Sequence, residues 1–261
     1  MQIEGEIDED DTICIDSSFF VDRSKIPPNP KNFVLSPSFY NDFIPFLLSY
    51  ELTTFTFGSH VLQLFCLRSA STDYDLTGQL VWPGAVLLNN FLSLHAEILE
   101  GRSVIELGSG VGITGILCSR FCREVVLTDH NEEVLEIIKK NIELQSSLGN
   151  PGSTGLKAEK LEWGNVDQIS QILERHPRGF DLILGADIYI LFISFLLYCL
   201  EASAHPGSKC RFILAYISRA KNMDTVIVDE AVQRGMRIDE VDGTRTTVAN
   251  LEGVIFEITL K

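Results

Sequence analysis

Apolar residues in this chain fall into short blocks, and from residue 103 onward these alternate with amphipathic stretches. The blocks at 103–107, 124–128, 156–161, 180–186 and 211–217 read as strands. Helical apolar spacing fills the stretches at 111–121, 131–147, 166–175, 190–204 and 223–234. Strand and helix in repeated alternation predict an α/β fold, a mostly parallel sheet with helices on both faces. The last two blocks, 236–241 and 253–260, have no helix between them, so they must pair antiparallel. That makes a seven-stranded sheet with a final antiparallel strand. Ahead of it, 53–57 and 61–65 flank Gly58-Ser59-His60 and predict an N-terminal β-hairpin extension, followed by a helix at about 85–99. Residues 1–50 differ in texture. Asp8 to Asp11 are all acidic, and Pro27-Pro28-Asn29-Pro30 forbids a helix. We therefore expect an irregular N-terminal arm over 1–50, part of it packed through aromatics such as Phe33 and Phe43, and one domain over 51–261.

Hydrophobic residues make up 45% of the 261 residues, enough for a full core. A net charge of −15 repels a phosphate backbone and attracts a basic protein or peptide, so the expected partner is a protein surface and not nucleic acid. The apolar stretch at 182–200 is about a bilayer in length but contains Asp187, and a charge there costs at least about 2.5 kcal/mol on insertion scales. A strand running into a core helix explains it better, so no membrane span is expected. The six cysteines sit mostly in apolar runs, as reduced core residues do. Cys118 and Cys122 lack a second pair at metal spacing, so no metal site is expected. The acidic, polar start does not resemble a leader peptide, and the compartment expected is the cytoplasm, with the nucleus second.

Chemistry concentrates in Val104-Ile-Glu-Leu-Gly-Ser-Gly-Val-Gly112. Glycines after a strand permit a tight turn and close backbone approach to a ligand, and the following helix presents free N–H groups. The string Gly110-Val-Gly-Ile-Thr-Gly115 also satisfies the dinucleotide pattern, so two cofactors compete. Glu106 stands two residues before Gly108, at the strand's carboxyl end. A carboxylate facing that mouth would repel a pyrophosphate, but it suits the ammonium and sulfonium of S-adenosylmethionine. Asp129 ends the second strand, where a carboxylate accepts ribose hydroxyls. Helix capping would compete for Asp129, but Asn131 is available for that work.

On these residues the chain resembles the class I S-adenosylmethionine-dependent methyltransferases, whose sheet is Rossmann-like. More narrowly it is similar to the non-histone protein-lysine methyltransferases grouped as methyltransferase family 16. The resemblance runs from about Thr53 onward. It is carried by Thr77-Gly-Gln-Leu-Val-Trp82-Pro, by the glycine turn with Asp129, by Leu161-Glu-Trp163-Gly, and by Gly185-Ala186-Asp187. It implies that Trp82, Glu106, Gly108, Gly110, Gly112, Asp129, Trp163 and Ala186 line the cofactor site and that Asp187 and Tyr189 act on the acceptor. In one place the chain departs from the group, which has Asp-x-x-Phe or Asp-x-x-Tyr where this chain reads Asp187-Ile188-Tyr189-Ile190. Tyr216 and Arg219, after the fifth strand, lie at the same end of the sheet. The activity implied is methyl transfer to a protein lysine. A small-molecule acceptor and a binding subunit that has lost catalysis are the readings that compete with it.

Overall fold

The computed structural model describes residues 50–67, 78–150, 152, 155–188, 193–203, 210–219 and 221–261. The arm expected over 1–50 therefore lies outside the described residues except for Tyr50, as does Tyr189.

Two strands, β1 (Glu51–Phe57) and β2 (His60–Cys66), form the expected antiparallel hairpin, with Glu51 opposite Cys66. Helix α1 (Pro83–Leu94) follows, then β3 (Ser103–Leu107), α2 (Ile113–Cys118), β4 (Glu124–Asp129) and α3 (Glu132–Ser147). After these come β5 (Leu156–Lys160), α4 (Val166–Arg175), β6 (Leu182–Ala186), α5 (Ile193–Ser203) and β7 (Arg211–Ile217). Last are α6 (Lys221–Gln233), β8 (Met236–Glu240), β9 (Thr246–Val248) and β10 (Leu251–Leu260). The stretch at 182–200 is thus strand then helix, and no helix among the described residues is long and apolar enough to cross a membrane.

The main sheet runs β5-β4-β3-β6-β7-β10-β8, with β9 paired to β10. Pairs from β5 through β7 are parallel, and β10 is antiparallel to both β7 and β8. The expected terminal pair is present, and β10 enters between β7 and β8. Strand β9 was not expected. It turns into β10 through Ala249 and Asn250, both left-handed at φ +50° and +64°, as a two-residue hairpin requires.

Period-two alternation sorts the core. Val104, Val125, Leu127, Leu184 and Ile213 face α1, α2 and α3 in one cluster. Ile105, Leu107, Val126, Ile183, Phe212 and Leu214 face α4, α5 and α6 in the other. The hairpin packs on the first side, with Leu62 and Leu64 fully buried. Amides from α3 satisfy part of its edge. Phe65 N donates to Asn141 Oδ1 at 2.7 Å, Asn141 Nδ2 donates to Phe65 O at 3.0 Å and Val111 O at 2.9 Å, and Gln145 Nε2 donates to Gln63 O at 2.8 Å.

Candidate active site

Strand β3 lies between β4 on one side and β6 on the other, so the chain crosses over in both directions from it. The crevice at the carboxyl ends beside such a switch point is where open α/β sheets bind ligands.

The turn after β3 is built on backbone conformation. Gly108, Gly110 and Gly112 are left-handed at φ +65°, +52° and +84°. Ser109 stitches this turn to β4, since its N–H donates to Thr128 O at 2.8 Å while its hydroxyl accepts from Thr128 N at 2.9 Å. The bare face of Gly108 is also required, because a Cβ there would come within 2.8 Å of the Trp163 ring and 3.2 Å of Ile188. That contact brings Trp163, half-buried after β5, to the glycine turn.

Asp129 meets the same turn from β4. Its Oδ2 accepts from Gly110 N at 3.3 Å and its Oδ1 from Asn131 N at 3.1 Å. Burial raises its pKa, with backbone N–H groups and nearby His130 pulling the other way. Asn131 caps α3 as expected, its side chain accepting from Glu133 N at 2.8 Å and Val134 N at 3.2 Å. The carboxylate of Asp129 is therefore left facing the glycine turn.

Glu106 does not face the mouth. It shares its side of β3 with Val104, and only 3% of the residue is exposed. Its Oε2 accepts from Gly115 N at 3.1 Å, in the first turns of α2. Thr114 also hydrogen-bonds to this carboxyl and accepts from Asn89 of α1 at 2.9 Å, so one polar chain joins β3, α2 and α1. Burial raises the Glu106 pKa to about 7. The carboxyl is thus a support beneath the turn, and from there it does not repel a pyrophosphate at the mouth as expected. Charge at the turn leaves the choice between the two cofactors open.

A second group of residues forms where β6 ends. Ala186 is the last residue of β6 and pairs with Ala215. Asp187 follows at φ +52°, a left-handed conformation uncommon outside glycine. Its side chain is 5% exposed, and burial raises its pKa against the opposing pull of Arg219 and a backbone N–H. That N–H belongs to Gly84, which donates to Asp187 Oδ2 at 2.6 Å. Helix α1 starts at Trp82-Pro83-Gly84 with no side-chain cap of its own, so Asp187 caps it from across the chain. Gly84 has to be glycine, because a Cβ there would come 2.7 Å from the Asp187 carboxyl carbon. The cap therefore goes to α1, far away in sequence, and not to the helix that follows Asp187. Arg219 NH2 lies 3.1 Å from Asp187 Oδ1, and the Arg219 guanidinium carbon is 4.8 Å from the Trp82 ring centroid. Tyr216 points elsewhere, its hydroxyl donating to Asp224 at 2.8 Å, and burial with that carboxylate raises its pKa.

The structure thus brings Gly108, Gly110, Asp129 and Trp163 together, and separately Asp187, Trp82 and Arg219. Ile188 adjoins both groups, since it follows Asp187 in the chain and its side chain lies against the bare face of Gly108. Gly84 was missed by the sequence reading, and its signal was the Trp-Pro-Gly string itself. A family described as lysine methyltransferase matches residues 67–230, well over half of the chain. The chain belongs to the lysine methyltransferase family. This lysine methyltransferase family member is 34% identical over 143 residues to the protein N-lysine methyltransferase METTL21A of Mus musculus, covering 54% of this chain and 59% of that one. It is 37% identical over 108 residues to a calmodulin-lysine N-methyltransferase of Arabidopsis thaliana, covering 41% of this chain and 33% of that one. The chain therefore matches about three-fifths or less of the length of these curated relatives. Among solved structures, the T. thermophilus 16S rRNA N2 G1207 methyltransferase in complex with AdoMet and guanosine superposes with a TM-score of 0.53 at 15% identity, over 82% of this chain and 51% of that one. That likeness shows the fold: a Rossmann-like methyltransferase sheet.

Proposed function

We propose that this chain transfers a methyl group from S-adenosylmethionine to a lysine side chain of a non-histone protein. The observation that carries the reading is the cradle at the β3 switch point, where Asp129, Trp163 and the left-handed glycines converge. The donor groups fit the cofactor. Asp129, beside the glycine turn, would accept ribose hydroxyls, and Trp163 would give a flat face or edge for adenine, worth about 0.5–1.5 kcal/mol beyond its area. Bound there, S-adenosylmethionine supplies an electrophilic methyl group on a sulfonium.

The chain's own part is positioning. A lysine amine attacks only when neutral, so it must arrive as a cation, be oriented, and release a proton. Asp187 offers the charge and Trp82 the aromatic face for the arriving cation. One proton would leave the oriented ammonium to solvent before transfer, so that the neutral amine these residues hold would meet the methyl group the cofactor would supply. A basic patch on the partner suits the charge of −15, which disfavours nucleic acid and an anionic membrane surface. Cytoplasm, with the nucleus second, is the compartment we propose.

Incubating the purified chain with labelled methyl donor and a cell lysate tests the reading. Label should enter protein and appear as methyl-lysine after hydrolysis. Label confined to small molecules would favour the small-molecule reading. Absence of both label and S-adenosylhomocysteine binding would favour a non-catalytic subunit.

A further inference from the structure

The Arg219 guanidinium sits in a box with two walls. One wall is Asp187 Oδ1 at 3.1 Å, and the other is the Trp82 ring, whose centroid is 4.8 Å from the guanidinium carbon. A carboxylate for the charge and an aromatic face for the cation are the two groups that hold a protonated amine. The floor of the box is closed, because the Asp187 side chain is 5% exposed and its second oxygen is taken by Gly84 N–H. The occupant is far less enclosed. The Arg219 side chain is 33% exposed, and the residue stands just beyond the end of β7, where the backbone leaves the sheet. The walls come from two other segments, Asp187 at the end of β6 and Trp82 at the start of α1, and Gly84 N–H joins those two segments without Arg219.

Building on the lysine reading above, we infer that Arg219 is the enzyme's own occupant of the acceptor's cation site. Its guanidinium competes with the incoming ammonium for Asp187 and Trp82, and acceptor binding requires its withdrawal. The exchange replaces one cation by another, so no bond changes and no proton moves. An acceptor that brings only an amine must displace a tethered competitor unaided. A lysine on a protein surface can do so with the help of contacts made by its flanking residues. Arginine suits the task because it stays charged at any working pH and stacks well on an aromatic face.

The test uses the full chain saturated with S-adenosylhomocysteine and titrated with n-butylammonium, the head of a lysine side chain, read by the fluorescence of Trp82 and Trp163. Arg219→Gln removes the charge and keeps a donor toward Asp187. Butylammonium should bind this variant at about tenfold lower concentration than wild type. Arg219→Met, which keeps an apolar stem, should do the same and supplies the answer if the Gln variant fails to fold. Arg219→Lys keeps a competing cation and should stay within about threefold of wild type. Equal or weaker binding in the uncharged variants would overturn the inference, and Arg219 would then hold the site's shape and not occupy it. A Lys variant that gains as much as Gln would overturn it too. Methyl-lysine from wild-type enzyme and lysate is scored separately, so loss of the lysine reading is distinguishable from loss of the competitor.

Discussion

Replacing Asp187 by Asn separates its two roles. The carboxylate caps α1 through Gly84 N at 2.6 Å and pairs with Arg219 at 3.1 Å. Asn keeps an oxygen for Gly84 and holds a left-handed φ of +52° more readily than most residues. What it loses is charge. The partner Arg219 is one-third exposed, so solvent screens the pair and its loss costs no more than about 1 kcal/mol. Against that, a neutral amide is cheaper to bury than a carboxylate, and burial raises the Asp187 pKa. The net for Asp187→Asn should be about 1 kcal/mol or less, roughly 2–4 °C in a domain of this size. Asp187→Ala loses the cap and forces alanine into the left-handed region, so it should cost about 2–4 kcal/mol. Thermal unfolding and calorimetry with S-adenosylhomocysteine check that Asn leaves fold and cofactor site intact. Methyl transfer to protein is then the deciding assay. If the charge orients the acceptor, the Asn variant should lose at least about a hundredfold in rate, which is roughly 2.7 kcal/mol of barrier. An Asn variant that methylates at the wild-type rate would refute that role and leave Asp187 as a cap of α1.

Three further outcomes follow from the geometry. Asp129→Ala should weaken S-adenosylhomocysteine binding by about 1.5–3 kcal/mol, measured by calorimetry; an unchanged affinity would remove Asp129 from the cofactor site. Glu106 has its pKa raised from 4.5 to about 7 in the folded chain, so the native state holds the extra proton between those values and stability falls as pH rises through that window. Roughly 3 kcal/mol should be withdrawn between pH 4.5 and 7, and denaturant titrations of Glu106→Gln across this range should lack the decline; identical pH profiles for the two proteins would contradict the buried placement. Asn141→Ala abandons the backbone of Phe65 and Val111 and should lower stability by about 2–4 kcal/mol in a denaturant titration, whereas a loss under 0.5 kcal/mol would mean that the α3 amide does not hold the hairpin.

What could be read in advance depended on how local the deciding interaction was. The Asn131 cap is a matter of three residues, and reading it correctly left Asp129 free to meet Gly110. The strand blocks followed from periodicity, because side-chain period sorts residues between the two core clusters, and the antiparallel end of the sheet followed from the short link between its last two blocks. That same period assigns Glu106 to the side of Val104, under α2, and the expectation that it faced the mouth came from weighing its place at the strand end above its parity. Asp187 was read as a residue that acts on the acceptor; its bond to Gly84, 103 positions away, is a pairing no local pattern reveals. Strand β9 escaped notice because its turn uses Ala249 and Asn250 with no glycine to mark it.

The place of β10 in the sheet bears on how the chain reaches this structure. β10 follows β8 in sequence yet lies between β7 and β8, hydrogen-bonded to both. A chain synthesised in order therefore presents the edge of β7 unpaired, and β8 with nothing to join, until β10 arrives. Through that interval β7 offers a row of free N–H and C=O groups on a strongly apolar strand, the kind of surface that pairs with other chains. Of the strands in this sheet, the one made last is thus the one that closes it, and nascent chains stalled before residue 251 are those a chaperone would be needed to hold.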